Sequence, residues 1–204
     1  MKTLTESQSD ALTELINIGV GRAANALNEL TGSHIILRVP RIELYNFNEL
    51  DQIRSRFGEN PLAAVLQNFR GGYEGRAALI FPTESAISLV EGITGEEPEA
   101  DDLDAIQSGT LCEIGNIVIN ALLGTIGNML GDRLDFDLSE YQQDEIINLL
   151  PVQSDSSLEG LILLSEVHFL IEKMDISGHI ILTFDIDNLN SLFRLIDKVF
   201  GEEN

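Results

Sequence analysis

Two pairs of residues in this chain combine an acid with a carboxamide at the same spacing. Glu14 is followed three residues later by Asn17, and Glu113 by Asn116, each inside a long stretch of apolar periodicity. A carboxylate can hold a cation, and a carboxamide can both accept from and donate to water without titrating, so such a pair suits docking plus orientation of a nucleophile. Residues three and four apart share one face of a helix. At 100° per residue, Asp10, Glu14, Asn17 and Gly21 fall on a stripe about 60° wide. Leu12, Leu15, Ile16, Ile18, Val20, Ala23, Leu27 and Leu30 occupy much of the rest. In the second segment the stripe reads Gly109, Glu113, Asn116, Asn120, Gly124 and Gly127, again among apolar residues. Each helix therefore opens one polar slit. Glycine on that slit lets a partner's rim approach, at a cost of about 0.5–1 kcal/mol relative to Ala. The bland alternative is that the glycines serve packing and that Glu and Asn are ordinary solvated residues. A lone Glu-x-x-Asn arises freely by chance; recurrence in register is what weighs against that.

Other chemistries find little support. Cys112 has no intrachain partner and falls among apolar helix positions, where a free Cys is usually a small core hydrophobe. His34, His168 and His179 lie in or beside strand-like stretches without ligand spacing and read as satisfied or half-exposed sheet histidines. Asp101, Asp102 and Asp104 precede the second helix, where the macrodipole favours acids, so no metal site is expected there. The chain has 204 residues, 34 Asp plus Glu against 12 Lys plus Arg, and a formal charge of −22. That balance repels phosphate backbones and anionic lipid, so neither nucleic acid nor a membrane is an expected partner. The first residues carry no apolar leader, and the longest apolar run, Ile117 to Leu130, is broken by Asn120 and Asn128. A reducing, cytoplasmic location is expected.

The elements that must position the two slits come in a repeat. At an offset of about 99 residues Glu14-Leu15-Ile16-Asn17-Ile18 lines up with Glu113-Ile114-Gly115-Asn116-Ile117, and Gly32 with Gly131. At a slightly larger offset Gly75-Arg76-Ala77-Ala78-Leu79-Ile80-Phe81 lines up with Gly178-His179-Ile180-Ile181-Leu182-Thr183-Phe184. Each copy reads as helix, strand, strand, strand, helix. Long helices are expected over about 6–30 and 101–130, each stopped by a glycine. Strands are expected over about 34–45, 61–69, 74–81, 158–171 and 177–184, and closing helices over 83–93 and 187–200. The fold class is α+β: two α-β-β-β-α repeats about a pseudo-two-fold axis share a largely antiparallel sheet with two long helices packed on it. One domain over 1–204 is expected, with repeats at about 1–95 and 105–204 joined by an acidic connector, 96–104.

These residues resemble the CheC, CheX and FliY family of response-regulator phosphatases of bacterial chemotaxis. That family's signature is Asp or Ser, three residues, Glu, two residues, Asn, then twenty-two residues and Pro. Asp10, Glu14, Asn17 and Pro40 stand at the full spacing. The second copy keeps Glu113 and Asn116 but has Gly109 for the Asp or Ser and Ser139 for the Pro. The double pair and the likeness over essentially the whole chain are most similar to the CheC branch.

The resemblance implies a phosphatase acting on the phospho-aspartate of a CheY-like receiver domain. Catalysis there is mostly positioning of an in-line water. Asn17 and Asn116 would orient that water, and Glu14 and Glu113 would pair with the receiver's active-site lysine, with Asp10, Gly21 and Asn120 among the substrate-contacting positions. Glu as a general base is the weaker alternative, because a loose phosphoryl-transfer transition state gains little from a base. No cofactor of the chain's own is implied; Mg²⁺ is expected in the receiver. A CheD-like protein and a homodimer are further partners that the resemblance admits. The competing reading is a non-catalytic adaptor, since scaffolding relatives share the fold without the Glu and Asn pairs.

Overall fold

The computed structural model describes residues 5–32, 34–39, 42–95, 105–150, 160–171 and 174–200. The chain runs α1 (Glu6–Thr31), β1 (Ile35–Arg38), β2 (Ile42–Asn46), a 3-10 turn (Phe47–Glu49), α2 (Leu50–Phe57), β3 (Leu62–Arg70), β4 (Gly75–Pro82) and α3 (Thr83–Thr94). It continues through α4 (Ala105–Leu130), β5 (Asp135–Phe136), β6 (Glu140–Asp144), α5 (Ile146–Leu149), β7 (Gly160–Ile171), β8 (Met174–Asp185) and α6 (Ile186–Phe200). α1 starts on a capping box: Thr5 Oγ1 accepts from Gln8 N at 3.2 Å and Gln8 Oε1 from Thr5 N at 3.1 Å. It ends at Gly32, whose φ of 67° is left-handed, and Asn28 Oδ1 accepts from Ile35 N at 2.6 Å, tying the helix end to β1. α4 stops at Gly131 in the same conformation. Both glycine stops therefore fall where the sequence places them. The connector 96–104, with Asp101, Asp102 and Asp104, and Pro40 lie outside the described residues.

The described strands form one eight-stranded sheet, β1-β7-β8-β4-β3-β5, with β2 also on β7 and β6 also on β3, every pairing antiparallel. The short strands are exchanged: β1 and β2 of the first repeat pair with β7 of the second, and β5 and β6 pair with β3 of the first. Counting in step from Gly75 and Gly178, Ala78 and Ile181 are equivalent, and they are each other's partners. Leu79 pairs with Ile180 and Ala77 with Leu182 around them, so the pseudo-two-fold passes through the β4–β8 contact. The expected strand over 34–45 is broken into β1 and β2, which keep separate registers on β7. Two short helices, α2 and α5, add to the expected plan.

Those short helices account for the composition of the central strands. Runs such as LAAVL in β3 and LILL in β7 are apolar on successive residues because the sheet is covered on both faces. On one face Ala63, Val65, Phe69, Leu79 and Phe81 pack under α1, α3, α4 and α6. On the other Leu62, Ala64, Leu66, Ile80 and Ile181 pack with Ile53 of α2 and with Ile146 and Leu149 of α5. α1 and α4 pack on each other at Gly19, where a Cβ would stand 2.5 Å from Leu122 Cδ1. α4 settles on β3 at Gly115, where a Cβ would be 2.5 Å from Val65 Cγ1. The polar slits are thus carried on two helices whose opposite sides are fixed in the core.

The second face also holds His179, edge-on to Phe57 of α2 with ring centroids 4.7 Å apart and with its Nδ1 buried and without a hydrogen-bond partner among the described residues. Burial first, then the charge of Arg56, pulls its pKa down to about 4, against weaker upward pulls from Glu166 and Glu43. The unfolded chain takes up this proton near pH 6.5, so the contribution is present above that pH and lost as pH falls toward 4. The slope is up to about 1.4 kcal/mol per pH unit. Denaturant titrations between pH 7 and 4 should show His179→Leu losing less stability than the wild type over this window; parallel curves would refute it.

Candidate functional site: two polar slits on the long helices

α1 presents its slit as the sequence predicts. Asp10, Glu14, Asn17 and Gly21 are all exposed, while Leu12, Leu15, Ile16, Val20 and Ala23 between them are buried. Glu14 has no ion-pair partner and Asn17 no hydrogen bond among the described residues. A Cβ at Gly21 would meet nothing within 4 Å. This face is a row of unspent polar groups on a convex helix.

The slit of α4 differs. Glu113 is exposed and likewise unpaired among the described residues, but Asn116 and Asn120 are half-buried. Asn116 Oδ1 accepts from Asn120 Nδ2 at 2.8 Å and from Gln67 Nε2 at 3.2 Å. Gln67, on β3 and only 2% exposed, also donates to the Asp137 carbonyl at 2.9 Å. Sequence reasoning missed Gln67. The available signal was a polar residue inside the apolar run of β3, on the face that turns toward the helices. Gly109 and Gly124 have open space above them, whereas Gly127 packs on the Asp132 carbonyl and Leu134, so the packing explanation holds for Gly127 alone on this stripe.

Ser139 sits beside α4, its carbonyl and Oγ each 3.4 Å from Cys112 Sγ. The sheet register corrects its assignment. Leu66 pairs with Glu140 and Leu164 with Glu43, and Leu66 and Leu164 are equivalent through their partners Ala78 and Ile181. Glu140 therefore matches Glu43, and Ser139 matches Ile42 rather than position 40. The span from helix to strand is two residues shorter in the second repeat, which is why counting from the Asn misplaced it. Cys112 packs against the core. His168 is paired with Asp175 at 2.9 Å, His34 is exposed just before β1, and His179 is half-buried on β8. Among the described residues no three His, Cys, Asp or Glu side chains converge as a metal site. α4 is the one described helix long and apolar enough to cross a membrane, and Leu111, Ile114, Val118, Leu122 and Ile126 are spent in the core.

Two clefts open nearby, the second beside Gln67, which donates to Asn116. One of about 310 Å³ is lined by Asn68, Arg70, Glu74, Asp185 and Asn188; the other, of about 190 Å³, by Gln67, Asn68, Arg76, Asp137, Leu138 and Glu140. Neither includes Glu14, Asn17, Glu113 or Asn116. Glu14, Asn17 and Glu113 are exposed on the two helices and Asn116 is half-buried beside Glu113, an arrangement suited to docking on another protein rather than to enclosing a small molecule.

Comparison with known proteins agrees with this geometry. Residues 8–44, which span the α1 slit, match the CheC-like family. The chain is 26% identical to the CheY-P phosphatase CheC of Bacillus subtilis over 206 residues, covering 93% of this chain and 94% of that one. Its fold is similar to that of Thermotoga maritima FliY, with a TM-score of 0.78 at 19% identity over 97% of this chain and 100% of the other. It is also similar to the FliM middle domain from H. pylori, with a TM-score of 0.64 at 7% identity, covering 94% and 99%. The chain is thus similar to the CheC-like family over the α1 slit and to CheC of Bacillus subtilis over nearly its whole length, and it shares its fold with FliY and with the FliM middle domain.

Proposed function

We propose that the chain accelerates hydrolysis of the phospho-aspartate of a CheY-like receiver domain, with Mg²⁺ held by the receiver. The observation that carries this reading is the recurrence, on two long helices, of a solvent-facing Glu, without an ion-pair partner among the described residues, three residues before an Asn. An unpaired carboxylate on a helix surface is free to pair with a lysine at the receiver's active site, and that contact brings the neighbouring carboxamide over the acyl phosphate. In the reaction a water oxygen bonds to phosphorus as the acyl P–O bond breaks. The electron pair leaves with the receiver's carboxylate, and the water's protons stay with inorganic phosphate or solvent. Little covalent help is required, so a carboxamide that fixes the water in line contributes mainly by positioning.

The test is the decay of a CheY-like receiver loaded from radiolabelled acetyl phosphate. Wild type should accelerate decay. The Asn17→Ala/Asn116→Ala double variant should return it to the receiver's own rate at a temperature where it remains folded; Asn17→Ala, at an exposed position, should melt as the wild type does, whereas Asn116→Ala gives up the hydrogen bonds from Gln67 and Asn120 and should melt lower. Acceleration retained by the double variant would sink the mechanism. A wild type that binds the phosphorylated receiver without hastening its decay would make the chain an adaptor instead.

A further inference from the structure

The carboxamide of Asn116 is not free to choose which face it shows. The Asp137 carbonyl can only accept, so the Gln67 group 2.9 Å from it must be the NH₂. That same NH₂ lies 3.2 Å from Asn116, which must therefore turn its oxygen inward to receive it. Asn120 Nδ2 donates to the same oxygen at 2.8 Å. Both lone pairs of Asn116 Oδ1 are then occupied. A backbone carbonyl on the β5–β6 connection thus sets, through two side chains, the orientation of a third. Gln67 is held against rotation by burial, and reversing its amide would face its oxygen against two acceptors.

We propose that Gln67 and Asn120 are positioning residues that lock Asn116 with its NH₂ outward, so that Asn116 serves the reaction as a hydrogen-bond donor only. The proposal rests on the phosphatase reading for its consequence, though the lock itself does not. A water held by donation to one lone pair of its oxygen keeps the other free to point at phosphorus, which is the geometry an in-line attack requires. Acceptance of the water's proton by Asn116 is ruled out by the same bonds.

The first repeat lacks the lock. Gln67 pairs with Ala77, whose equivalent Ile180 pairs with Ser165, so Ser165 stands where Gln67 stands. Gly21 occupies the place of Asn120, four residues after the Asn. Gly21 offers no side chain, and Asn17 has no hydrogen bond among the described residues.

The experiment uses Gln67→Met, which keeps length and apolar fit but removes the donor. In wild type, ¹⁵N relaxation of the side-chain amides should give Asn116 an order parameter near that of rigid backbone and Asn17 one well below it; Gln67→Met should drop Asn116 toward the Asn17 value. In an Asn17→Ala background, so that only the second site turns over, Gln67→Met should lower kcat by about tenfold with KM unchanged. An Asn116 amide that stays rigid in Gln67→Met, or a loss expressed only in KM or melting temperature, overturns the proposal. If wild type accelerates no receiver, the phosphatase reading fails, and the relaxation arm still decides whether the lock exists.

Discussion

Asn116→Ala should remove the larger part of the receiver-dephosphorylating activity, and Asn17→Ala the smaller. The two helices offer the same residue types, but the state of the carboxamide differs. Asn116 is already oriented by Gln67 and Asn120, whereas Asn17 must lose its rotamer freedom at the moment of docking. Immobilising such a side chain costs about 0.5–1.5 kcal/mol, which converts to roughly twofold to tenfold in rate at equal docking. Glu14 and Glu113 are both exposed, so the clamp itself gives no reason for a difference in kcat. Asp10 against Gly109 is the remaining contrast, and an extra exposed carboxylate near a cationic partner acts on encounter and KM. Initial rates of Asn17→Ala and Asn116→Ala on one phosphorylated receiver decide the matter. Equal losses, or the reverse order, would show that pre-orientation of Asn116 does not govern turnover.

The slits were legible in the sequence because a helix face repeats every three to four residues, and Glu14, Asn17, Glu113 and Asn116 announce themselves by spacing alone. The duplication was legible for the same reason: Gly75-Arg76-Ala77 and Gly178-His179-Ile180 preserve a local pattern. The exchange of β1 and β2 for β5 and β6 was not, because it is fixed by pairings such as Leu37 with Phe169 that are far apart in the chain. α2 and α5 were missed because their inward faces amount to Ile53 in one and Ile146 with Leu149 in the other, too few residues to establish a period. What they cover could have been inferred: strands apolar on both alternations demand a second layer. The lock on Asn116 was hidden for both reasons at once, since Gln67 is a single residue and its partner lies on another element.

Two glycines two residues apart on α1 should respond to alanine with opposite signs. At Gly21 an added Cβ meets nothing within 4 Å. The helix then gains what a mid-helix Gly→Ala change usually returns, about 0.5–1 kcal/mol, and the protein should melt higher. At Gly19 the same methyl would lie 2.5 Å from Leu122 Cδ1, 2.9 Å from the Leu122 carbonyl oxygen and 3.2 Å from its Cα. Rotating the leucine relieves only the first of these contacts. The others are backbone, so α1 and α4 must part along a seam where Leu15, Leu122 and Leu123 are nearly fully buried. Overpacking of this kind costs about 1–3 kcal/mol, more than the helix propensity that Ala returns, and Gly19→Ala should lower stability in urea titrations while Gly21→Ala raises it. Because the seam also fixes which way each slit faces, Gly19→Ala at a temperature where it remains folded should weaken turnover at both sites together. Loss confined to one site would mean that the helices carry their slits independently of the contact between them.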